Sequence, residues 1–587
     1  MYLRTTPRRN ADGSVVRYLQ LAHNTWDPQA KRSRVQVLYN LGREDANNRA
    51  ALQRLVASVT RFLDPDQALA ATAGEGLAFV ESHPLGGTWV LDGLWHRLGI
   101  DTTMRRLLTG RRLDPLAERV LFGLVANRAL APSSKLAAAG WISDDVAIPG
   151  LEQTSDDACY RAMDWLLEIH HELEQEIFGQ VATLLDLEVD LLFFDTTSTY
   201  FELDEADTPI ARNQHGHRLP QPSDATTANG ATTAGFRSYG KPKDHRDDLP
   251  QIVVGMAVTR SGIPVRVWCW PGNTGDSALI RQVKQDLRDW TLARVIWVAD
   301  RGFASAENRR YLRKGDHHYI IGERLRSGSA EATAALARQG RYQQVADNLR
   351  VKEVRISDAE RFVICYNPQQ ADRDAAVRTR LLAQLEETIT GSNKLSVTKR
   401  AELRGVLSTK PGLNRYLRAT PGGLLRVDQR AIKAEANLDG KYLLRSSDPH
   451  LSVEDIALGS KQLLQVERGW RDMKQVIDLR PVYHRKEERI RAHVILCWLA
   501  LLLTRTIETT CGDTWPSLRH QLERIKLGTF AGPAGTFRQR TELTTTQRAI
   551  LARLELAEPP RVWQLTPTRL AAHPDAPRLL TRTNARA

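Results

Sequence analysis

Between residues 189 and 322 the apolar positions come in short runs separated by polar turns. Val189 to Thr197, Gln251 to Thr259, Ile263 to Trp270, Arg294 to Ala299 and His318 to Gly322 are rich in Val, Ile, Phe, Trp and Thr. Their lengths and composition predict five β-strands, with Ser261-Gly262 as the turn between the second and third. From Asp276 to Trp290 the period changes. Leu279, Ile280, Val283, Leu287 and Trp290 recur on one face of an amphipathic helix. Another helix is expected from about Ser305 to Lys314. The order β-β-β-α-β-α-β predicts a hairpin meander followed by right-handed crossovers, hence a mixed sheet with helices on its faces.

The flanking regions read less sharply. Val16 to Leu21 and Ser33 to Tyr39 alternate around Asn24-Thr25-Trp26-Asp27-Pro28, which predicts a β-hairpin module over residues 1–45. Residues 46–185 show 3–4 spacing and read as a helical N-terminal region, with breaks at Pro84-Leu85-Gly86-Gly87, Ala131-Pro132 and Pro149-Gly150. Asp204 to Pro250 is too long for a compact hairpin loop and is expected to be an excursion, partly disordered or functional. After a core segment at 186–323, residues 324–455 read as a β-rich inserted domain. Its strand-like runs lie at 350–356, 361–365, 424–434 and 441–446, with helices from about 373 to 417. Residues 456–530 carry a helix with Glu467 and a second, apolar helix at 487–510. Residues 531–587 form a basic tail with a weak helix at 545–556. The expected class is an α/β core with a mixed sheet interrupted by a β-rich insertion.

Composition narrows the setting. The longest apolar stretch, Val494 to Leu503, falls short of the roughly 20 residues that span a bilayer, so a buried helix and no membrane partner are expected. The N-terminus lacks a signal-peptide core. Five scattered cysteines without CxxC spacing fit a reduced cytoplasm and argue against a cysteine-built zinc site. The net charge is +13 and the pI about 9.6. From Lys461 onward there are 22 Lys+Arg against 12 Asp+Glu, and in the first 40 residues 7 against 2. Basic ends around a near-neutral middle suggest a polyanion partner, most simply nucleic acid. A solvated basic surface accounts for the same charges about equally well.

Three acidic residues stand out. Asp195 ends Leu191-Leu192-Phe193-Phe194, and Asp300 ends Val295-Ile296-Trp297-Val298-Ala299. Burying an uncompensated carboxylate costs several kcal/mol, so each needs a partner, and a hard divalent cation is a natural one. If the fourth strand pairs with the first, both emerge at neighbouring C-terminal strand ends, where open α/β sheets place their sites. Glu467, Trp470, Arg471 and Lys474 share a helix face, which suits metal beside phosphate but equally an ordinary solvated helix. Lys241-Pro242-Lys243-Asp244-His245-Arg246 is a candidate phosphate-facing cluster. Thr196, Thr197 and Ser198 are nucleophiles by type, yet β-propensity explains them more simply.

In this order, Phe194-Asp195-Thr196-Thr197-Ser198, Ala299-Asp300-Arg301-Gly302-Phe303 and Glu467 followed by Lys474 resemble the prokaryotic insertion-sequence transposases of the DDE class. The likeness is to the group with a β-rich insertion between the second Asp and the Glu. It extends over roughly residues 185–510, through Gly255-Met256-Ala257-Val258-Thr259, Gly272-Asn273-Thr274-Gly275-Asp276 and Asp439-Gly440-Lys441-Tyr442. The resemblance implies a ribonuclease H-like core and a metal-binding catalytic triad of Asp195, Asp300 and Glu467. It implies Mg²⁺, with Mn²⁺ as a substitute, in a two-metal site bridged by Asp195. It also implies double-stranded DNA as partner, both terminal inverted repeats and target, with a homodimer in the active DNA complex. Cleavage at the element's ends and joining of the freed 3′-OH to target DNA are the implied activity. Lys474, Arg471, Arg301, Lys243, His245 and Arg246 are the expected DNA contacts. The Tyr and Arg that the group carries seven and four residues before the Glu are here Ser460 and Leu463. No Trp lies between Trp297 and Trp470, so any base stacking by the insertion falls to Tyr342, Tyr366 or Tyr442. A nuclease of the same fold without joining activity, or an inactive DNA-binding derivative, are the competing readings.

Overall fold

The computed structural model describes residues 2–10, 13–27, 32–63, 78–111, 114–184, 191–213, 215–219, 232–288, 290, 295–326, 328–357, 360–532 and 535–567. The expected first residues of two strands (189–190 and 294) lie outside the described residues. So do parts of the helical region (64–77 and 185), the middle of the excursion (220–231) and the end of the tail (568–587). The chain forms two compact units, Ile169–Leu502 and Met1–Glu168 with Leu503–Ala587.

The central unit is built on a nine-stranded mixed sheet. Its strands are β1 (Leu191–Tyr200), β2 (Gln251–Thr259), β3 (Pro264–Pro271), β4 (Ile296–Ala299), β5 (His318–Glu323), β6 (Gln343–Ala346), β7 (Leu349–Ser357), β8 (Glu360–Tyr366) and β9 (Lys441–Ser446). Their spatial order is β6-β7-β8-β9-β5-β4-β1-β2-β3. β1 to β3 make the antiparallel meander, while β4 runs parallel to β1 and β5 parallel to β4. Helices α1 (Asp276–Asp286) and α2 (Ala306–Leu312) supply the two crossovers. All five expected core strands and both helices are therefore present.

β1 is buried along nearly its whole length, as a central strand covered on both faces must be. One face carries Leu192 and Phe194 and packs with Trp268, Trp270 and the apolar stripe Leu279, Ile280 and Val283 of α1. The opposite face carries Leu191, Phe193 and Asp195. It is covered by α3 (Val453–Lys461) and α4 (Leu464–Gln475), with Gly459 against Leu191 and Ile320, and Gly469 against Met256.

The expected inserted domain is not a separate β-domain. β7, β8 and β9 continue the core sheet, because β9 pairs antiparallel with both β5 and β8. The exposed edge of β5 offers unpaired backbone groups, and a later strand satisfies them. The insertion nevertheless has apolar clusters of its own, one around Ala332, Ala335, Val354 and Phe362 and another in the helical excursion around Leu385, Leu407, Leu413 and Tyr416. The expected strand at 424–434 is instead a short strand, Leu425–Val427, and a helix, Gln429–Ala436. Asp428 starts that helix by accepting from the Arg430 and Ala431 amides.

The excursion after β1 is packed in part. Arg212 and Phe236 are buried. Arg212 makes a bidentate pair with Glu487 at 2.9 and 3.1 Å, and Arg491 meets the same carboxylate at 2.8 Å. Glu487 opens α5 (Glu487–Cys511), which by composition is apolar enough to cross a bilayer, yet 94% of its apolar window is buried inside the protein.

In the other unit the expected hairpin is a three-stranded antiparallel sheet, Tyr2–Arg9, Val15–Asp27 and Arg32–Arg43. The region after it is mostly helical, with one exception. Ala78–Pro84 is a strand that pairs with Lys526–Gly532, and Gly535–Arg540 and Val562–Pro567 complete a four-stranded sheet. The described residues of the expected tail are thus folded into this sheet and the helix Thr545–Arg553.

Gly272 anchors the turn that launches α1. A Cβ there would sit 2.0 Å from the Gln251 carbonyl oxygen and 2.3 Å from that of Ser238. Backbone cannot yield as a flexible side chain can. Gly272→Ala should therefore cost at least about 1–3 kcal/mol in chemical denaturation. It should also displace Asp276, four residues on. A variant as stable as wild type would show that this turn is not tightly held.

Candidate active site

Strand register brings the two aspartates together. Ala299 pairs with Phe194 in parallel, so the next residues in step are Asp300 and Asp195. Asp195 also pairs across the antiparallel ladder with Met256. One row of one sheet face thus holds Met256, Asp195 and Asp300, and Asp300 lies against Gly322 of β5. The expectation that both aspartates end their strands holds only for Asp300, which starts the short 3-10 turn Arg301–Phe303. Asp195 is mid-strand. β1 runs on to Tyr200 because β2 continues beside it, Tyr200 pairing with Gln251.

The electrostatics are strained. Asp195 is 22% exposed at its side chain. Burial pushes its carboxyl above the usual aspartate range, Lys243 pulls it back, and the charges of Asp300 and Asp276 push it up again. The Lys243 ammonium lies 3.5 Å from Asp195 Oδ1 and 3.5 Å from Asp276 Oδ2. It also donates to the Thr196 carbonyl and to Thr196 Oγ1, each at 2.6 Å. Thr196 Oγ1 in turn donates to Asp276 Oδ1 at 2.9 Å. Excess negative charge on hard oxygen donors is chemistry that suits a hard divalent cation.

The helix that carries Glu467, α4, packs on this face. That helix buries Val466, Gly469, Trp470 and Met473, and Gly469 permits close approach because a Cβ there would lie 2.6 Å from Met256 Cε. Met256 is the cross-strand partner of Asp195, so α4 crosses directly over the acidic row. Glu467 itself is exposed. Two turns on, Lys474 Nζ bonds Asp244 Oδ1 at 2.8 Å, and Arg480 lies 3.3 Å from Asp244 Oδ2. Burial draws the Lys474 ammonium below the usual lysine range, against the pull of Asp244. Adjacent residues therefore form a clasp. Lys243 holds the β1 carboxylate and Asp244 holds the helix of Glu467.

Among the described residues, the donor atoms that close to within 4.8 Å belong to His170, His171 and Glu174, and not to the acidic triad. Arg266 already serves that cluster, 3.0 Å from Glu174 and 2.5 Å from His171 Nδ1. A guanidinium there disfavours a second cation.

The other expected contacts divide. Arg471 and Arg301 are exposed. His245 is exposed and left-handed, with φ 57°, an uncommon conformation for a residue with a side chain. Arg246 pairs with Asp248 at 2.8 Å and stacks over Tyr200 at 5.1 Å. Arg480 stacks on the same ring at 4.8 Å. Beyond Tyr200 opens a cavity of about 590 Å³ whose lining includes Arg237, Lys474, Tyr483, His484 and Arg485. Sequence reasoning missed Asp276, Asp244, Arg480, Tyr483 and Arg485. Asp276 and Asp244 sit inside stretches already singled out, Gly272 to Asp276 and Lys241 to Arg246. The other three carry no signal along the chain.

Comparisons with known proteins converge on one family. A model described as a transposase DDE domain matches residues 222–503, and one for the N-terminal domain of the IS1634 family of transposases matches residues 3–70. The first includes Asp300 and Glu467 and begins after Asp195. No curated protein matches the chain significantly. Among solved structures the chain is similar to a piggyBac transposase synaptic complex with hairpin DNA. The identity is 12%, over 75% of this chain and 78% of that one, with a TM-score of 0.31, too low to establish a shared topology.

The burial of Lys474 yields a direct test. Lys474→Ala and Asp244→Ala should each lower Tm, and the double variant should fall short of their sum by on the order of 1 kcal/mol. The slope of log K against log salt on DNA should stay at its wild-type value for Lys474→Ala. A slope shallower by about one unit would instead mean that Lys474 meets phosphate.

Proposed function

We propose a mechanism for this chain, which belongs to the prokaryotic insertion-sequence DDE transposases and is a DNA transposase. The catalytic core is ribonuclease H-like. What supports this is the strand order β3-β2-β1-β4-β5, with an antiparallel meander and two parallel additions. Asp195, Asp300 and Glu467 form the catalytic triad, and they hold Mg²⁺, or Mn²⁺ in its place. When bound, a pair of such ions lowers the pKa of an attacking water and neutralises charge on the leaving 3′-oxygen.

The protein's own groups do the rest. β1 and β4 fix two carboxylates in one row, so their separation is set by backbone hydrogen bonds and not by flexible side chains. α4 brings the third over the same face. Exposed Arg301 and Arg471 flank the triad in sequence and face the phosphates of the DNA, fixing its register without reading its bases. His245, Arg246 and the groove with Tyr483 and Arg485 extend this basic path. Tyr200 lies about 17 Å along the strand from Asp195, at roughly 3.3 Å per residue. The reaction cleaves at the ends of the element and uses the freed 3′-OH as nucleophile on target DNA. The partner is double-stranded DNA. A homodimer is the simplest assembly that gives each of two ends its own site. A cytoplasmic location suits the five cysteines, all buried and none in a disulfide.

The observation that carries this reading is the shared row of Asp195 and Asp300. Asp195→Asn, Asp300→Asn and Glu467→Gln should each lower cleavage of an end-containing duplex by several orders of magnitude while binding persists. A variant that cleaves at near wild-type rate would remove its residue from the triad. Exchange of Mg²⁺ for Ca²⁺ should permit binding without cleavage, since Ca²⁺ takes a larger, looser oxygen shell. Recovery of DNA joined to target separates transposition from simple nuclease action, and cleavage without any joined product would count against transposition.

A further inference from the structure

Lys243 occupies an unusual place for a residue expected to meet DNA. Its ammonium lies between two carboxylates although the side chain is still 39% exposed. It is equidistant, at 3.5 Å, from Asp195 Oδ1 and Asp276 Oδ2. Asp300 stands next to Asp195 in the same row of the sheet. The position is built and not incidental. The Lys243 amide donates to Ser198 Oγ at 2.8 Å, its ammonium to two oxygens of Thr196, and the following residue is held by Lys474 and Arg480. Backbone on one side and an ion pair on the other thus aim one cation at the acidic row.

We propose that Lys243 is the site's own counter-cation, sharing Asp195 with any divalent ion that binds there, and that Asp276 is the alternative anchor that draws Lys243 aside. This rests on the reading of Asp195 as a metal ligand. Without a bound ion, Lys243 relieves the mutual repulsion of Asp195, Asp300 and Asp276. A divalent ion must compete with that charge, so Lys243 weakens metal binding and sets the concentration at which the site loads. Asp276 has the opposite effect. With Asp276 present the ammonium has a second carboxylate to lean on, and without it the lysine falls wholly to Asp195. Lys243 is thus a positioning and tuning residue, and Asp276 acts through it.

Mn²⁺ binding to the full-length protein, followed by electron paramagnetic resonance of the free ion, tests this without any DNA or turnover. Lys243→Gln should bind Mn²⁺ roughly tenfold more tightly, since it removes a like charge a few ångströms from the ion. Lys243→Arg should stay near wild type. Asp276→Asn should bind more weakly, and the Lys243→Gln/Asp276→Asn double variant should recover the tight binding. In EDTA, Lys243→Gln should melt below wild type and should gain more Tm on adding Mn²⁺. Unchanged or weaker Mn²⁺ binding by Lys243→Gln would overturn the proposal. So would a double variant as weak as Asp276→Asn, because Asp276 would then act as a ligand in its own right. Asp195→Asn separates the two levels. If it binds Mn²⁺ as wild type does, the metal-site reading itself fails, whatever Lys243 does.

Discussion

The repulsion between carboxylates on neighbouring strands is the constraint around which the central unit is arranged. Parallel pairing of β1 and β4 sets Asp195 and Asp300 side by side on one sheet face. Asp276, at the start of α1, adds a third negative charge within reach of Lys243. A half-buried cluster of this kind disfavours the folded chain unless cations offset it. The protein supplies one by tethering Lys243 through Ser198 and Thr196. On the proposed reading, the remaining negative charge is what a metal ion would neutralise.

The rest of the unit makes that arrangement rigid. β1 is central, covered on one face by Trp268, Trp270 and α1, and on the other by α3 and α4. Rigidity in the sheet is needed because side-chain flexibility would let the carboxylates drift apart. The helix of Glu467 buries Val466, Trp470 and Met473. It is fixed by the seating of Gly469 on Met256 and by the ion pair of Lys474 with Asp244. The strands that follow β5 extend the same sheet through β9, which links chain far downstream of Asp300 to the scaffold that positions it.

Much of this could be read along the chain. Five core strands and two crossover helices follow from local period, because each element contains enough consecutive apolar positions to reveal its geometry. Asp195 and Asp300 stood out because a carboxylate after an apolar run conflicts with burial, and Glu467 because basic residues follow it on one helix face. In two places the deciding partner is distant in sequence, and in a third the signal is local. Ala78–Pro84 lies in a helical stretch and is a strand only because Lys526–Gly532 pairs with it. The expected insertion joins the main sheet because β5 leaves an edge open. The run at 424–434 became a helix because Asp428 caps it, a short polar signal within an apolar-looking segment.

The element types of the core, the identity of the acidic residues and the basic character of the two ends are legible along the chain, since they depend on local composition and period. The carboxylates that the lysines approach could not be read from the chain. Lys474 and Lys243 both looked like phosphate contacts, being basic residues near acidic motifs. In the fold one is buried against Asp244 and the other is held against Asp195 and Asp276. Charge along a chain says how many cations there are. Whether a given cation faces DNA or a carboxylate depends on which anions the folding of distant segments brings within a few ångströms of it.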